Sequence, residues 1–254
     1  MDRPTQFRGV DVYSADCSQV EDVIVHAICE GTSVGITFVN PHSFNLAKTD
    51  AGLREDLAGI DYSLADGIGV VIAVRLLLGK RIQRLSFDLL AEALFERLSR
   101  EGLSVFFLGG ATGVADKAVH ALLEAHPGLN VVGCRDGFFS SEEEFLDVER
   151  FLNDSHAQVV VVGMGAPAQE RMVVRLTDSL DGVAVITCGG FFDQVGLPRP
   201  YYPPWAYPLR LNWVVRLARD PRRLWRRYLV GNPTFLIDSI RWRLKADRPS
   251  DGLK

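Results

Sequence analysis

Val159-Val-Val-Val-Gly163-Met-Gly165-Ala-Pro167-Ala-Gln169-Glu170 runs from a β-branched apolar stretch, through a glycine turn, into an amphipathic pattern that continues from Gln169 to Leu180. Consecutive valines leave no polar face, so this strand reads as buried on both sides, as parallel strands covered by helices are. The same alternation recurs outward along the chain. Apolar runs at Val34–Val39, Val105–Leu108, Asn130–Cys134 and Val183–Cys188 alternate with amphipathic stretches at Ser43–Leu57, Phe87–Ser99, Val114–Ala125 and Ser141–Leu152. Strand–helix alternation means right-handed βαβ units. The fold class expected is α/β: a Rossmann-like, mostly parallel sheet covered by helices. Ser141 with Glu144 has capping-box spacing, and Pro167 suits an early helical position.

The chain changes character after Asp193. The stretch from Gly196 to Trp205 carries four prolines and reads as a loop or linker. Net charge over the 254 residues is −4, yet Arg199–Lys254 holds 13 Lys+Arg against 4 Asp+Glu, a balance of +9, which leaves −13 for the rest. We therefore divide the chain into a body, 1–195, and a basic helical appendage, 196–254. Asp220-Pro221 starts a helix reaching about Val230, with Arg222, Arg223, Arg226 and Arg227 on one side and Leu224, Trp225, Tyr228 and Leu229 broadly on the other. That helix packs on the body by its apolar side, or it faces anionic lipid or phosphate. Its apolar surface also points to a homo-oligomer.

A 47% hydrophobic, 24% charged composition excludes a disordered chain, and the overall charge gives no reason to expect nucleic acid. No apolar run reaches the ~18 residues of a membrane span, and the N-terminus lacks the apolar core of a signal peptide. The expected location is the cytoplasm, with any membrane contact peripheral. Cys17, Cys29, Cys134 and Cys188 have neither ligand nor disulfide spacing, so no metal is expected.

Ligands of doubly wound sheets bind beyond the carboxyl ends of the strands. The residues there are Thr37 with Asn40-Pro-His42, Asp66-Gly67, Gly109-Gly110, Asp136-Gly137-Phe138, Gly163-Met-Gly165 with Gln169, and Asp193. Asp66 reads as a base or as a helix cap, and Asn40 and His42 as site or turn residues. Gly163-x-Gly165-x-x-Ala168 fits a dinucleotide fingerprint, but no acidic residue follows at about 20 positions, so an NAD-dependent nucleotide-sugar oxidoreductase is a poor rival. There is no DxD pair, GxSxG elbow or P-loop. A non-catalytic membrane-associated scaffold would need the tail but not Asp66 or Gln169.

The order of these motifs resembles the WecG/TagA/CpsF family of bacterial glycosyltransferases. The resemblance rests on Asn40-Pro41, Leu64-Ala-Asp66-Gly67-Ile-Gly69, Phe107-Leu-Gly109-Gly110, Asp136-Gly137-Phe138-Phe139, Gly163-Met-Gly165-Ala-Pro167 with Gln169-Glu170, Gly189-Gly190-Phe191-Phe192-Asp193, and Asn212-Trp213 with Arg216 and Asp220-Pro221-Arg222-Arg223. It implies metal-independent, inverting transfer of a sugar from a UDP-sugar donor to a polyprenyl-diphosphate-linked saccharide acceptor during cell-surface polysaccharide synthesis, without a cofactor. The tail would associate with the anionic inner face of the cell membrane and complete the site. Asp66 matches the general base, with Asn40, Arg84 and Gln169 beside it in the pocket. Arg216, Arg223 and Arg226 match arginines that fold over the diphosphate. Thr37, Gly109, Gly110, Asp136, Gly137, Phe138, Gly163, Gly165 and Asp193 are the further substrate-binding candidates. The chain departs from the family at Phe38, Leu85-Ser86-Phe87-Asp88, Ala168 and Pro200-Tyr-Tyr-Pro-Pro, and its Thr37-to-Ser43 stretch is closest to the exopolysaccharide branch.

Overall fold

Parallel strands at the centre of the sheet are sealed on both faces, as the valine run requires. In the computed structural model, which describes residues 1, 3–197, 201–206, 208–209 and 211–246 (without the side chains of Arg223 and Ala246), the elements follow this order. First come β1 (Thr5–Phe7), β2 (Val10–Tyr13), α1 (Cys17–Cys29), β3 (Val34–Val39), α2 (Pro41–Ala47), α3 (Ala51–Gly59), β4 (Tyr62–Ala65), α4 (Ile68–Leu78) and α5 (Phe87–Glu101). Then come β5 (Ser104–Gly109), α6 (Val114–Ala125), β6 (Asn130–Arg135), α7 (Glu142–Asp154), β7 (Val159–Gly163), α8 (Ala168–Ser179), β8 (Ala184–Thr187) and α9 (Phe192–Val195). The tail adds α10 (Asn212–Arg219), α11 (Pro221–Trp225), a π-helical turn (Arg226–Val230) and α12 (Gly231–Ala246).

The strands form one sheet in the order β1-β2-β4-β3-β8-β7-β5-β6. Every pair is parallel except β1–β2. The chain fills one side of β3 with β4, crosses to β5 and β6, and returns through β7 to β8. The order therefore reverses between β3 and β8, the switch point where such sheets bind ligands. Val159 and Val161 belong to a core under α1, α5 and α6, while Val160 and Val162 face the core under α7 and α8. Alternate residues of one all-apolar strand thus serve two layers.

Local chemistry explains where helices start. The Asn40 side chain accepts from His42 N–H at 3.0 Å and Ser43 N–H at 3.3 Å, capping α2. The single helix expected over Ser43–Leu57 is broken in two, because Asp50 caps a new helix through Leu53 N–H at 3.0 Å. The Ser141–Glu144 capping box forms by half. Ser141 Oγ accepts from Glu144 N–H, whereas the Glu144 carboxylate accepts from Arg135 at 2.7 Å and Ser140 N–H at 3.1 Å.

Across the compositional boundary at 195/196 the two parts share a core. Phe235 of α12 is fully buried, with its ring centroid 6.1 Å from Phe7 of β1 and 5.6 Å from Phe44 of α2. Asn45 Nδ2 donates to Gly231 O at 2.7 Å, and Lys48 pairs with Asp238 at 2.8 Å. Phe235→Ala should cost about 3–5 kcal/mol in urea unfolding, within one transition for the whole chain. A separate low-stability tail transition, with the body unaffected, would contradict the shared core.

Candidate active site

Asp66 follows β4 and lines a cavity of about 180 Å³, partly open to solvent, between the strand ends and the tail. It is not a helix cap: α4 begins at Gly67 without any side-chain cap bond. Burial, then the neighbouring Asp88 carboxylate, push the Asp66 carboxyl above the usual carboxylate range, against the opposing pull of Arg216, Arg84 and Arg227. Asn40, Arg84 and Asp88 line the same cavity. Arg84 Nε and Asp88 Oδ2 are buried without a hydrogen-bond partner among the described residues. Asn40 thus serves both as the cap of α2 and as cavity wall.

A second lobe, containing Asp66, Gln169, Gly165, Gly189 and Gly190, adjoins the first. Gln169 Oε1 accepts from Gly165 N–H at 3.1 Å, and its Nε2 donates to Glu170 Oε1 at 2.9 Å. Thr37 is fully buried and lines none of the lobes; its hydroxyl donates to the same Glu170 oxygen at 3.3 Å and lies 3.0 Å from Thr187 Oγ1. Burial raises the Glu170 carboxyl, while the bonds from Gln169 and Thr37 oppose this. Thr37 and Gln169 are therefore joined through a residue that the sequence reading quoted but assigned no role.

The third lobe reaches the ends of β5 and β7, with Gly110, Gly137, Phe138, Gly163, Gly165 and Asp193 in its wall. Gly109 lies outside all three lobes, for a packing reason. A Cβ on Gly109 would fall 2.3 Å from Gly163 O, and Gly110 N–H donates to that oxygen at 2.9 Å. Gly165, at φ +74°, and Gly189, at φ +57°, face the groove with open space around them. Asp136 turns away: its carboxylate accepts from Thr112 Oγ1 at 2.9 Å and Phe138 N–H at 3.2 Å, which hold it below the usual carboxylate range and shape the loop carrying exposed Phe138.

Arg216 and Arg227 line all three lobes, as does His42. Arg216 Nε donates to Tyr202 Oη at 2.5 Å. Burial works against the Arg216 charge, but Tyr202, Tyr228, Asp66 and Asp88 outweigh it and hold the guanidinium above its ordinary value. Arg226, a sequence candidate, is exposed outside the groove with its guanidinium 5.3 Å from the Trp225 ring. The Arg223 side chain lies outside the described residues. The faces of this helix are thus divided differently from the simple basic/apolar reading: Leu224, Arg227 and Tyr228 turn inward, while Trp225, Arg226 and Leu229 turn out. Arg227, Asp88, Tyr202, Tyr228 and Glu170 are the site residues missed by motif reading. For Arg227 the 224–227–228 helical spacing was an available signal; nothing local marked the others. Among the described residues no group of three or more His, Cys, Asp or Glu side chains could hold a metal ion.

Reversal of strand order at β3–β8 thus places a recessed carboxylate, Asp66, and three arginines, Arg84, Arg216 and Arg227, in one groove of an α/β protein. The sequence model of the Glycosyl transferase WecG/TagA/CpsF family matches residues 5–249, and the chain belongs to that family of glycosyltransferases. It is 27% identical over 208 residues to the UDP-Gal:alpha-D-GlcNAc-diphosphoundecaprenol beta-1,4-galactosyltransferase of Shigella boydii, covering 81% of this chain and 85% of that protein.

Burial and then the Arg227 charge lower the His42 imidazole to about 4. A lowered folded-state value means that neutral His42 supports the fold above its unfolded value near 6.5, and that this support is lost as pH falls toward 4. The free energy of urea unfolding should therefore decline between pH 6.5 and 4 more steeply in the wild type than in His42→Gln. Parallel curves for the two proteins would remove His42 from the charged groove.

Proposed function

We propose that the protein transfers a hexose from a UDP-sugar to a polyprenyl-diphosphate-linked saccharide, with inversion and without a metal, at the inner face of the membrane. One observation carries the reading: a carboxylate, Asp66, lines both of two adjoining lobes, with its proton affinity raised and Arg84, Arg216 and Arg227 around it. The printed name of the Shigella relative supports the donor and acceptor classes. We assign the nucleotide to the glycine-lined lobes and the acceptor to the lobe beneath the tail.

In the reaction, Asp66 takes the proton of the acceptor hydroxyl as that oxygen attacks the anomeric carbon. The bond from that carbon to the UDP oxygen breaks on the opposite face, and UDP departs with the bonding pair. The configuration inverts, and the proton remains on Asp66 until solvent removes it. A raised carboxyl suits a base better than an ordinary aspartate, since proton transfer improves as the base approaches the working pH. Arginines oriented before the reaction offset the charge gathering on the diphosphate, the electrostatic role that a divalent cation plays elsewhere. Outside the groove, Arg222, Trp225, Arg226 and Leu229 form a basic and apolar surface suited to an anionic leaflet. No helix among the described residues is long and apolar enough to cross a membrane.

Asp66→Asn should lower turnover on the order of 10²-fold or more, with UDP-sugar binding retained. The acid limb of the wild-type kcat/KM profile should lie above pH 3.8, because the free-enzyme carboxyl is raised. Near-wild-type turnover in Asp66→Asn would remove the base assignment. Turnover should persist in excess EDTA; activity that vanishes and returns with magnesium or manganese would overturn metal independence. Trp225→Ser with Leu229→Ser should weaken binding to anionic vesicles about tenfold or more while leaving thermal unfolding within a few degrees, since both side chains are exposed. A large fall in Tm with unchanged vesicle binding would instead return them to packing.

A further inference from the structure

The acceptor lobe does not end at its polar base. Ile68, at the start of α4, and Leu236, in the first turns of α12, both line it. From these two residues the helices run outward side by side, since Arg243 Nε donates to Leu77 O at 2.9 Å near their far ends. Steps of four residues keep one helix face. They carry Ile68 to Ile72 and Leu76 on α4, and Leu236 to Ile240 and Leu244 on α12. Leu236 and the four residues beyond the mouth are exposed: Ile72 by 42%, Leu76 by 76%, Leu236 by 40%, Ile240 by 48% and Leu244 by 62%. The inward faces of the same helices are already occupied by packing around Val70, Val74 and Phe235, so the fold does not need these outer residues for its core. Single exposed leucines need no explanation. Two matched stripes, each of nine residues rising about 12 Å, that start inside a cavity do need one.

The cavity presents opposite chemistries. Arg84, Arg216 and Arg227 line the cavity together with Ile68 and Leu236, from which the exposed branched aliphatic stripes continue. A ligand that matches both has a diphosphate head and a branched hydrocarbon chain. We propose that the α4–α12 seam is a track for the first isoprene units of the acceptor's polyprenyl chain, which it holds while the diphosphate lies under the tail arginines. This rests on the function proposed above. A bilayer surface would meet Leu76 and Leu244, but it cannot follow the stripe inward to Ile68 and Leu236. A single chain can, and this continuity favours the chain as occupant. The exposed Trp225–Leu229 surface belongs to the outer side of a different helix and is a separate device.

The test uses the full-length protein and two synthetic acceptors with one saccharide diphosphate, the first on a chain of several isoprene units and the second on a methyl group. In Ile72→Gln/Ile240→Gln, KM for the isoprenyl acceptor should rise about tenfold or more, while kcat and KM for the methyl acceptor remain wild-type. Leu76→Gln/Leu244→Gln should act only on chains long enough to reach the outer residues. A fluorescent isoprenyl diphosphate, titrated without donor, should weaken in parallel. Equal losses on both acceptors, or unchanged KM for the isoprenyl one, would overturn the track. So would weakened vesicle binding or altered sedimenting mass at unchanged chain-length preference, which would assign the seam to the bilayer or to a second copy. If the fluorescent probe binds with the expected chain dependence but wild-type protein transfers sugar to neither acceptor, the functional reading fails and the lipid track stands. If transfer occurs without chain dependence, the reverse holds.

Discussion

Burial of the Phe235 ring against Phe7 and Phe44 is the contact on which the site depends. Without it the strand ends of the body would face solvent, and Asp66 would be a carboxylate at the rim of an open sheet. With it, α12 is clamped over α2 and α4, and the π-helical turn and α10 are carried across the groove. Arg8 reinforces the clamp, with its guanidinium 5.7 Å from the Phe44 ring and 5.6 Å from the Phe235 ring. A fully buried phenylalanine contributes a few kcal/mol, enough to hold a short helical segment that has little reason to be helical alone. The tail is basic because of what it covers, and it stays there because of apolar packing.

The charges beneath the tail follow from that closure. Two carboxylates, Asp66 and Asp88, face three guanidinium groups, those of Arg84, Arg216 and Arg227, in the wall of one cavity. Removing ions from water costs several kcal/mol each unless partners compensate. Asp66 shows the effect directly: burial and Asp88 outweigh the three arginines, and its proton affinity rises. Arg216 shows the converse, with its charge maintained by Tyr202, Tyr228 and the same two aspartates. Such a cavity suits an anionic ligand, whose charge offsets the excess of guanidinium groups without displacing Asp66.

The sheet was legible in the sequence wherever strands are buried on both faces, because β3, β5, β7 and β8 are almost wholly apolar, each with at most one small hydroxyl residue, Thr37, Ser104 or Thr187. The short strands β1 and β2 escaped, since three or four residues cannot establish a period, and β4 was marked only by the Asp66-Gly67 turn at its carboxyl end. The break between α2 and α3 was hidden because Asp50 caps the second helix without interrupting the amphipathic pattern. In the site, strand-end residues such as Asp66, Gln169 and Gly165 could be named from their position in βαβ units. Gly109 could also be named, but its reason could not: only the fold reveals that its missing Cβ makes room for Gly163 O. Asp88 and Tyr202 meet the groove, and Glu170 supports Thr37 and Gln169 behind it, through tertiary contacts that no local spacing encodes.

The tail helix illustrates why composition alone misassigns such residues. Consecutive arginine pairs at 222–223 and 226–227 read as one basic face, yet successive residues on a helix are 100° apart. Once Leu224 is buried, that angle turns Arg227 and Tyr228 toward the groove and Arg226 toward solvent. Trp225, expected among the apolar residues, therefore goes outward with Arg226 over its ring. One helix thus carries charge to two surfaces: Arg227 acts on whatever occupies the groove, while Arg222 and Arg226 act on what lies outside it. Because α12 continues from this helix, the same buried Phe235 orients both surfaces. A ligand in the groove and a surface outside it must then approach from directions related by the helix rather than by a flexible linker, as the proposed lipid-linked acceptor would need.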